Sequence, residues 1–227
     1  MRFVLIHGAY HGAWCWDLLR PELERLGHEV IAPDLPCEDP RAGAAAYATT
    51  VIDAVPPSPA STVIVGHSLG GLTAPIVASR IATHRLVFLC ALLPLPGSSF
   101  DGQGLDIESG FRPSASPIEQ PDGSAKWPEQ GAIEEYYHDC DPGVARWAAQ
   151  RLRAQHWRIT EEQTPLLRWP DVPSSYVLAR DDRGVAPRYS RHVARERLLV
   201  EPIEIDGGHS PFLSRPAELA AILSALG

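Results

Sequence analysis

The stretch Val63-Ile64-Val65-Gly66-His67-Ser68-Leu69-Gly70-Gly71 runs a β-branched apolar segment straight into a glycine-rich turn with one serine at its centre. The apolar segment reads as a strand buried on both faces, and residues 69–81 read as a helix. Alone, the pattern Gly-x-Ser-x-Gly arises by chance in roughly one chain of this length in a dozen. Between a strand and a helix it gains chemical meaning. A sharp turn there strains the serine backbone and lifts the hydroxyl above the carboxyl end of a sheet. Gly66 and Gly70 suit that turn, because strand and helix pass too closely for a Cβ.

The surrounding pattern supports such a sheet. Short apolar runs at residues 2–6, 29–32, 62–65, 86–90, 174–178 and 202–205 alternate with helical patterns at 16–26, 42–55, 69–81, 187–197 and 216–226. This alternation predicts an α/β fold, a mostly parallel sheet of about six strands flanked by helices. Residues 1–227 then form a single domain. The segment 97–171 shows no strand pattern, with helices expected at 132–140 and 142–155. A structureless loop that long is unusual in a compact domain, so it reads as an inserted helical cap. It holds eight of the chain's 17 aromatic residues: Phe100, Phe111, Trp127, Tyr136, Tyr137, Trp147, Trp157 and Trp169. They are expected to form the cap's own core, with a few lining an apolar pocket beneath it.

A serine hydroxyl is a poor nucleophile without a base. On this fold the base and its acid follow in the order Ser, acid, His, each at a later strand end. After the run at 174–178 come Asp181 and Asp182, and after the run at 202–205 comes His209. Neighbouring aspartates point in different directions at a strand end, so only one of them reaches the histidine. An ester-cleaving site also needs two backbone N–H groups for the oxyanion. Leu69, just after the serine, supplies one, and Ala9 in the loop His7-Gly8-Ala9-Tyr10-His11-Gly12 supplies the other. His7, His11 and His67 lie near the site, but none occupies the base position; His7 reads as a residue that holds the turn.

Composition narrows the partners. A hydrophobic share of 44%, a charged share of 21% and a net charge of −8, with no basic run, disfavour nucleic acid and anionic membranes. The first residues, MRFVLIHG, enter a strand at once rather than forming a secretory leader, and no apolar run approaches membrane-spanning length. The cytoplasm is therefore the default compartment. Cys15, Cys37, Cys90 and Cys140 lack Cys-x-x-Cys spacing and read as idle thiols, with no metal site. The preference for Arg, with Lys126 the single lysine, and the abundance of Ala and Pro point to a GC-rich bacterial genome.

The segments HGAYHGAWCW, GHSLGG, FLCALLP and DGGHSPFLSRPAELAAIL resemble the α/β-hydrolase superfamily. More narrowly they resemble its group of plant methyl esterases, hydroxynitrile lyases and related bacterial esterases. The likeness runs through both ends of the chain and is weakest in the cap. It implies Ser68 as nucleophile, Asp182 as acid, His209 as base, and Ala9 and Leu69 as oxyanion donors. In that group a Pro opens the next helix five residues after the acid, and Pro187 stands at that distance from Asp182. Asp181 would then face solvent or pair with Arg180 or Arg183. Gly8, Tyr10 and Trp127 are expected at the substrate pocket. The implied partner is a small-molecule ester, with no cofactor; a homodimer is left open. The alternatives are a hydroxynitrile lyase, or another C–C cleaving activity on the same triad, and a ligand-binding protein on the same fold. The resembling lyases carry Thr after the first-loop His and Lys after the catalytic His, where this chain has Gly8 and Ser210.

Overall fold

The structure is a computed structural model that describes residues 1–57, 60–103 and 116–227. Along the chain come β1 (Arg2–Ile6), α1 (Leu19–Arg25), β2 (Glu29–Ile31), α2 (Ala44–Ala54), β3 (Thr62–His67), α3 (Ala74–Ala78) and β4 (Arg85–Leu89). The insertion between β4 and the next sheet strand, here termed the cap, carries a hairpin of β5 (Ile118–Glu119) and β6 (Ala125–Lys126). Helices α4 (Glu129–Tyr136), α5 (Pro142–Ala149) and α6 (Arg158–Glu161) follow it. The chain closes with β7 (Ser174–Ala179), α7 (Pro187–Arg197), β8 (Ile203–Ile205), α8 (Pro211–Ser214) and α9 (Pro216–Leu226).

Six strands form one sheet in the order β2-β1-β3-β4-β7-β8, and every pairing is parallel. Alternate side chains along each strand enter two separate cores. Val4, Ile64, Phe88 and Leu178 face α2, α3 and α7 on one side, and Phe3, Val65, Val87 and Val177 face α1 and α9 on the other. Burial on both faces is why these strands read as unbroken apolar runs rather than alternating ones. The direction of strand addition reverses at β1, which lies between β2 and β3. That switch brings the loop after β1 beside the turn after β3, and ligand sites of open α/β sheets form at such a point.

Four segments differ from the sequence reading, the helix expected at 142–155 among them, since α5 stops at Ala149. The expected helix at 69–81 is a tight 3-10 turn, Ser68–Leu72, followed by the single short helix α3. Gly70 lies against the backbone of Ile6 and His7, which fixes that first turn, and Ser79 Oγ donates to Ile76 O where the helix stops. The expected helix at 16–26 divides into a 3-10 turn, Ala13–Trp16, and α1, which ends before Gly27 at φ +84°. The cap does contain strands, contrary to the sequence reading. Each strand of its hairpin spans two residues, too short for any periodicity to show, and Gly123 at φ +82° makes the turn between them. Among the described residues no helix is long and apolar enough to cross a membrane, and all four cysteines are free thiols.

Candidate active site

Ser68 sits at φ +51°, a left-handed conformation that costs a non-glycine residue roughly 1–2 kcal/mol. The surrounding glycines make the turn possible. A Cβ on Gly66 would lie 2.8 Å from Ala74 Cβ, and one on Gly70 would lie 2.6 Å from Ile6 O. Leu92 N–H donates to Ser68 O at 3.0 Å, tying the elbow to the segment after β4.

Asp182 follows β7 and His209 follows β8, and the structure brings their side chains together. His209 Nδ1 lies 2.8 and 2.9 Å from the two Asp182 carboxylate oxygens. Asp182 Oδ1 also accepts from Gly184 N–H and Val185 N–H, each at 2.8 Å. The carboxylate is thus oriented by its own loop, and the two side chains are only 1% and 2% exposed. Gly184 allows the approach, since a Cβ there would meet His209 Cγ at 3.0 Å. The carboxylate accepts the Nδ1 proton, which leaves Nε2 as the free acceptor of the ring. Asp181 is exposed, and neither expected partner reaches it. Arg180 pairs with Glu204 and Asp206, and Arg183 donates to Glu134 O. Both guanidinium groups are thus engaged away from Asp181.

The three other histidines near the site are buried and bond the backbone. His7 Nδ1 donates to Gly8 O at 2.9 Å and its Nε2 accepts from Leu35 N–H at 2.9 Å, which fixes the turn carrying Ala9. His11 Nδ1 donates to Ala9 O at 2.7 Å. His67 Nε2 donates to the carbonyl of His209 at 3.0 Å, holding the backbone of that loop. Burial lowers the pKa of His7 to about 4 and of His11 to about 3, and holds His67 well below the ordinary imidazole range. All three are neutral at pH 7, as their accepting or unprotonated nitrogens require.

Ser68, His209, Ala9 and Leu69 line one cavity of about 200 Å³. Its other walls are mainly apolar and come largely from the cap: Trp127, Tyr136 and Trp157 beside Tyr10 and Leu92. Of the residues expected at the substrate pocket, Tyr10 and Trp127 line this cavity, and Gly8 is not among its lining residues. Gly8 stands behind the serine, where a Cβ would come 2.8 Å from Ser68 Cβ. Among the described residues Ser68 Oγ makes no hydrogen bond; such contacts are commonly long in ligand-free sites and tighten around substrate. Tyr136 and Trp157 were candidates only as members of the aromatic set, and their helical or loop context gave no sign of direction. Glu135, fully buried on the cavity wall, was not foreseen, because a carboxylate in an acidic stretch of helix reads as solvent-facing. Phe111 lies outside the described residues.

Residues 3–222 match the alpha/beta hydrolase family, and the chain belongs to it. Among curated relatives, salicylic acid-binding protein 2 of Nicotiana tabacum is 27% identical over 97% of this chain and 95% of its own length. The alpha-hydroxynitrile lyase of Arabidopsis thaliana is 30% identical over 99% of this chain and 96% of its own. Methylesterase 7 of the same plant is 26% identical, with 98% and 94% covered. A solved structure of polyneuridine aldehyde esterase (the H244A mutant) superimposes with a TM-score of 0.83 at 22% identity, covering 100% of this chain and 98% of that one. At that identity the superposition speaks for the fold.

Proposed function

We propose that this chain is a serine esterase that cleaves small carboxylic esters through an acyl-enzyme, with Ser68 as nucleophile, His209 as base and Asp182 as acid. One observation carries the reading: a buried His209, held by Asp182, and a strained Ser68 line one apolar cavity at the switch point of the sheet. Methylesterases and an esterase among the similar proteins support the same chemistry.

With Asp182 holding Nδ1–H, His209 Nε2 takes the Ser68 proton as Oγ attacks the ester carbonyl. The oxyanion forms against Ala9 N–H and Leu69 N–H. Leu69 is in the first turn of a 3-10 helix, where N–H groups lack helical acceptors. His209 then gives its proton to the leaving alcohol, and the same imidazole activates the water that releases the acid. No step calls on a metal or an organic cofactor. A cavity of about 200 Å³ walled by aromatic rings suits an uncharged ester with a compact apolar acid portion.

The likeness to a hydroxynitrile lyase favours C–C cleavage as the second reading. Two positions speak against it. Gly8 provides no hydroxyl for a cyanohydrin oxygen, and Ser210, fully buried after the base, provides no cation for departing cyanide. The test is turnover of p-nitrophenyl acetate and butyrate by wild type and Ser68→Ala. Wild type should hydrolyse at least one of them, and the variant should lose several orders of magnitude, on the order of 10⁶ by precedent. A variant that keeps most of the activity refutes the assignment.

A further inference from the structure

The loop that carries Ala9 is held from outside the sheet. Tyr10 sits at φ +65°, a conformation unfavourable for a non-glycine residue and stable only when its surroundings fix it. Both polar groups of the Ala9–Tyr10 peptide are bonded. Its carbonyl accepts from His11 Nδ1 at 2.7 Å, and its N–H donates to Gln155 Oε1 at 3.3 Å. His11 is itself set by the cap: the Ala9 carbonyl requires its proton on Nδ1, which leaves Nε2 to accept from Tyr137 Oη at 2.8 Å. Gln155 is fixed in turn. Its Nε2 donates to Tyr47 Oη at 3.1 Å and to His156 O at 2.6 Å, so Oε1 is the atom left facing Tyr10. Arg153 N–H donates to Tyr10 O at 2.6 Å, the third contact from the cap to this loop. Tyr137 and Gln155 are both fully buried.

We propose that Tyr137 and Gln155 are positioning residues for the oxyanion hole: the cap, through the Tyr137–His11 and Gln155–Tyr10 contacts, locks the Ala9–Tyr10 peptide, while His7 Nδ1 holds Gly8 O of the adjoining Gly8–Ala9 peptide, so that both sides of Ala9 are fixed and its N–H cannot turn away from the cavity. The inference rests on the reading of Ala9 N–H as an oxyanion donor. It makes the hole a joint product of sheet loop and cap, whereas the peptide carrying Leu69 N–H is held by the serine elbow and by Leu92 N–H, which donates to Ser68 O. A neutral His11 is required, and its deep burial supplies that condition at neutral pH. Losing the Tyr137 hydroxyl leaves the buried His11 Nε2 without its donor, so the ring is no longer anchored from the cap and its hold on the Ala9 carbonyl loosens. Losing the Gln155 acceptor leaves a buried Tyr10 N–H unbonded, so the loop turns to find another partner.

The experiment compares wild type, Tyr137→Phe and Gln155→Met, which keep side-chain bulk and remove the polar atoms. For p-nitrophenyl butyrate, kcat should fall ~10- to 100-fold in each variant, a fraction of the loss known for deleting a whole oxyanion donor. KM should change less than about threefold, since ground-state packing against the cavity is kept. Inhibition by an aryl trifluoromethyl ketone, which forms an oxyanion on the serine, should weaken by the same factor as kcat/KM. A residue that merely braces the cap would instead raise KM and leave the inhibitor ratio unchanged. That result in both variants, or wild-type kinetics in both, overturns the proposal. Should one variant fail to fold by circular dichroism, the other decides. If wild type neither hydrolyses the ester nor reacts at Ser68 with a fluorophosphonate, the esterase reading itself has failed, and this inference falls with it.

Discussion

Exchanging Asp182 for Asn tests the acid–base pair while changing almost no volume. In the native site Oδ1 accepts from Gly184 N–H and Val185 N–H at 2.8 Å each, and both oxygens lie within 2.9 Å of His209 Nδ1. An asparagine would keep its oxygen on the two backbone donors and turn its NH₂ toward Nδ1. The imidazole must then offer Nδ1 as acceptor, which moves its proton to Nε2, the atom that should receive the Ser68 proton. Turnover should fall by roughly 10⁴, the loss seen when a serine-protease triad is given the wrong tautomer. That factor is about 5.5 kcal/mol of transition-state stabilisation. The two backbone N–H groups stay bonded, so the variant should fold. Asp181→Asn is the control. Its exposed side chain meets neither Arg180 nor Arg183, and turnover should stay within about tenfold of wild type. Initial rates on p-nitrophenyl butyrate at pH 8, with circular dichroism for folding, settle the comparison. The reverse ranking would refute the reasoning.

Two further predictions concern stability and reaction type. His7 and His11, lowered to about 4 and about 3 in the folded chain against 6.5 unfolded, bind fewer protons when folded. Their contribution is complete above pH 6.5 and is lost as pH falls toward 4, on the order of 3 kcal/mol for His7. Urea midpoints should therefore drop steadily from pH 7 to pH 4.5, and a flat profile would contradict neutral buried rings. With Gly8 and Ser210 at the positions that distinguish lyases, cyanide release from mandelonitrile should be negligible beside ester hydrolysis; a cyanide rate above that on every ester tested reverses this assignment.

The sheet was legible because its strands are buried on both faces and bounded by glycine and polar turns, so Phe3–Ile6 and Val63–Val65 announce themselves. The order Ser68, aspartate, His209 was legible because each follows a strand run. Choosing between Asp181 and Asp182 needed more than the run itself, since adjacent residues share every local signal. The resemblance to the esterase and lyase group, through its spacing from acid to Pro187, implied Asp182. The pocket was much less legible. Tyr136 lines the cavity while Tyr137, next in sequence, turns to His11, a division set by how α4 ends against the β1 loop. Gly8 reads as a pocket residue in the sequence, and only the three-dimensional approach of β1 and β3 shows that a Cβ there would meet Ser68 Cβ at 2.8 Å. Gln155, in a segment expected to be helical, lies beyond α5 and bridges to Ala125, a long-range pairing that periodicity does not encode.

The nucleophilicity of Ser68 is the claim on which the rest depends, and a fluorophosphonate probe measures it without knowledge of the physiological ester. The wild-type chain, treated with the probe and digested, should carry one adduct, on the peptide containing Gly66-His67-Ser68-Leu69-Gly70, and labelling should vanish in Ser68→Ala and slow sharply in Asp182→Asn. A folded wild-type chain that takes up no probe, or takes it up elsewhere than at Ser68, would contradict the account.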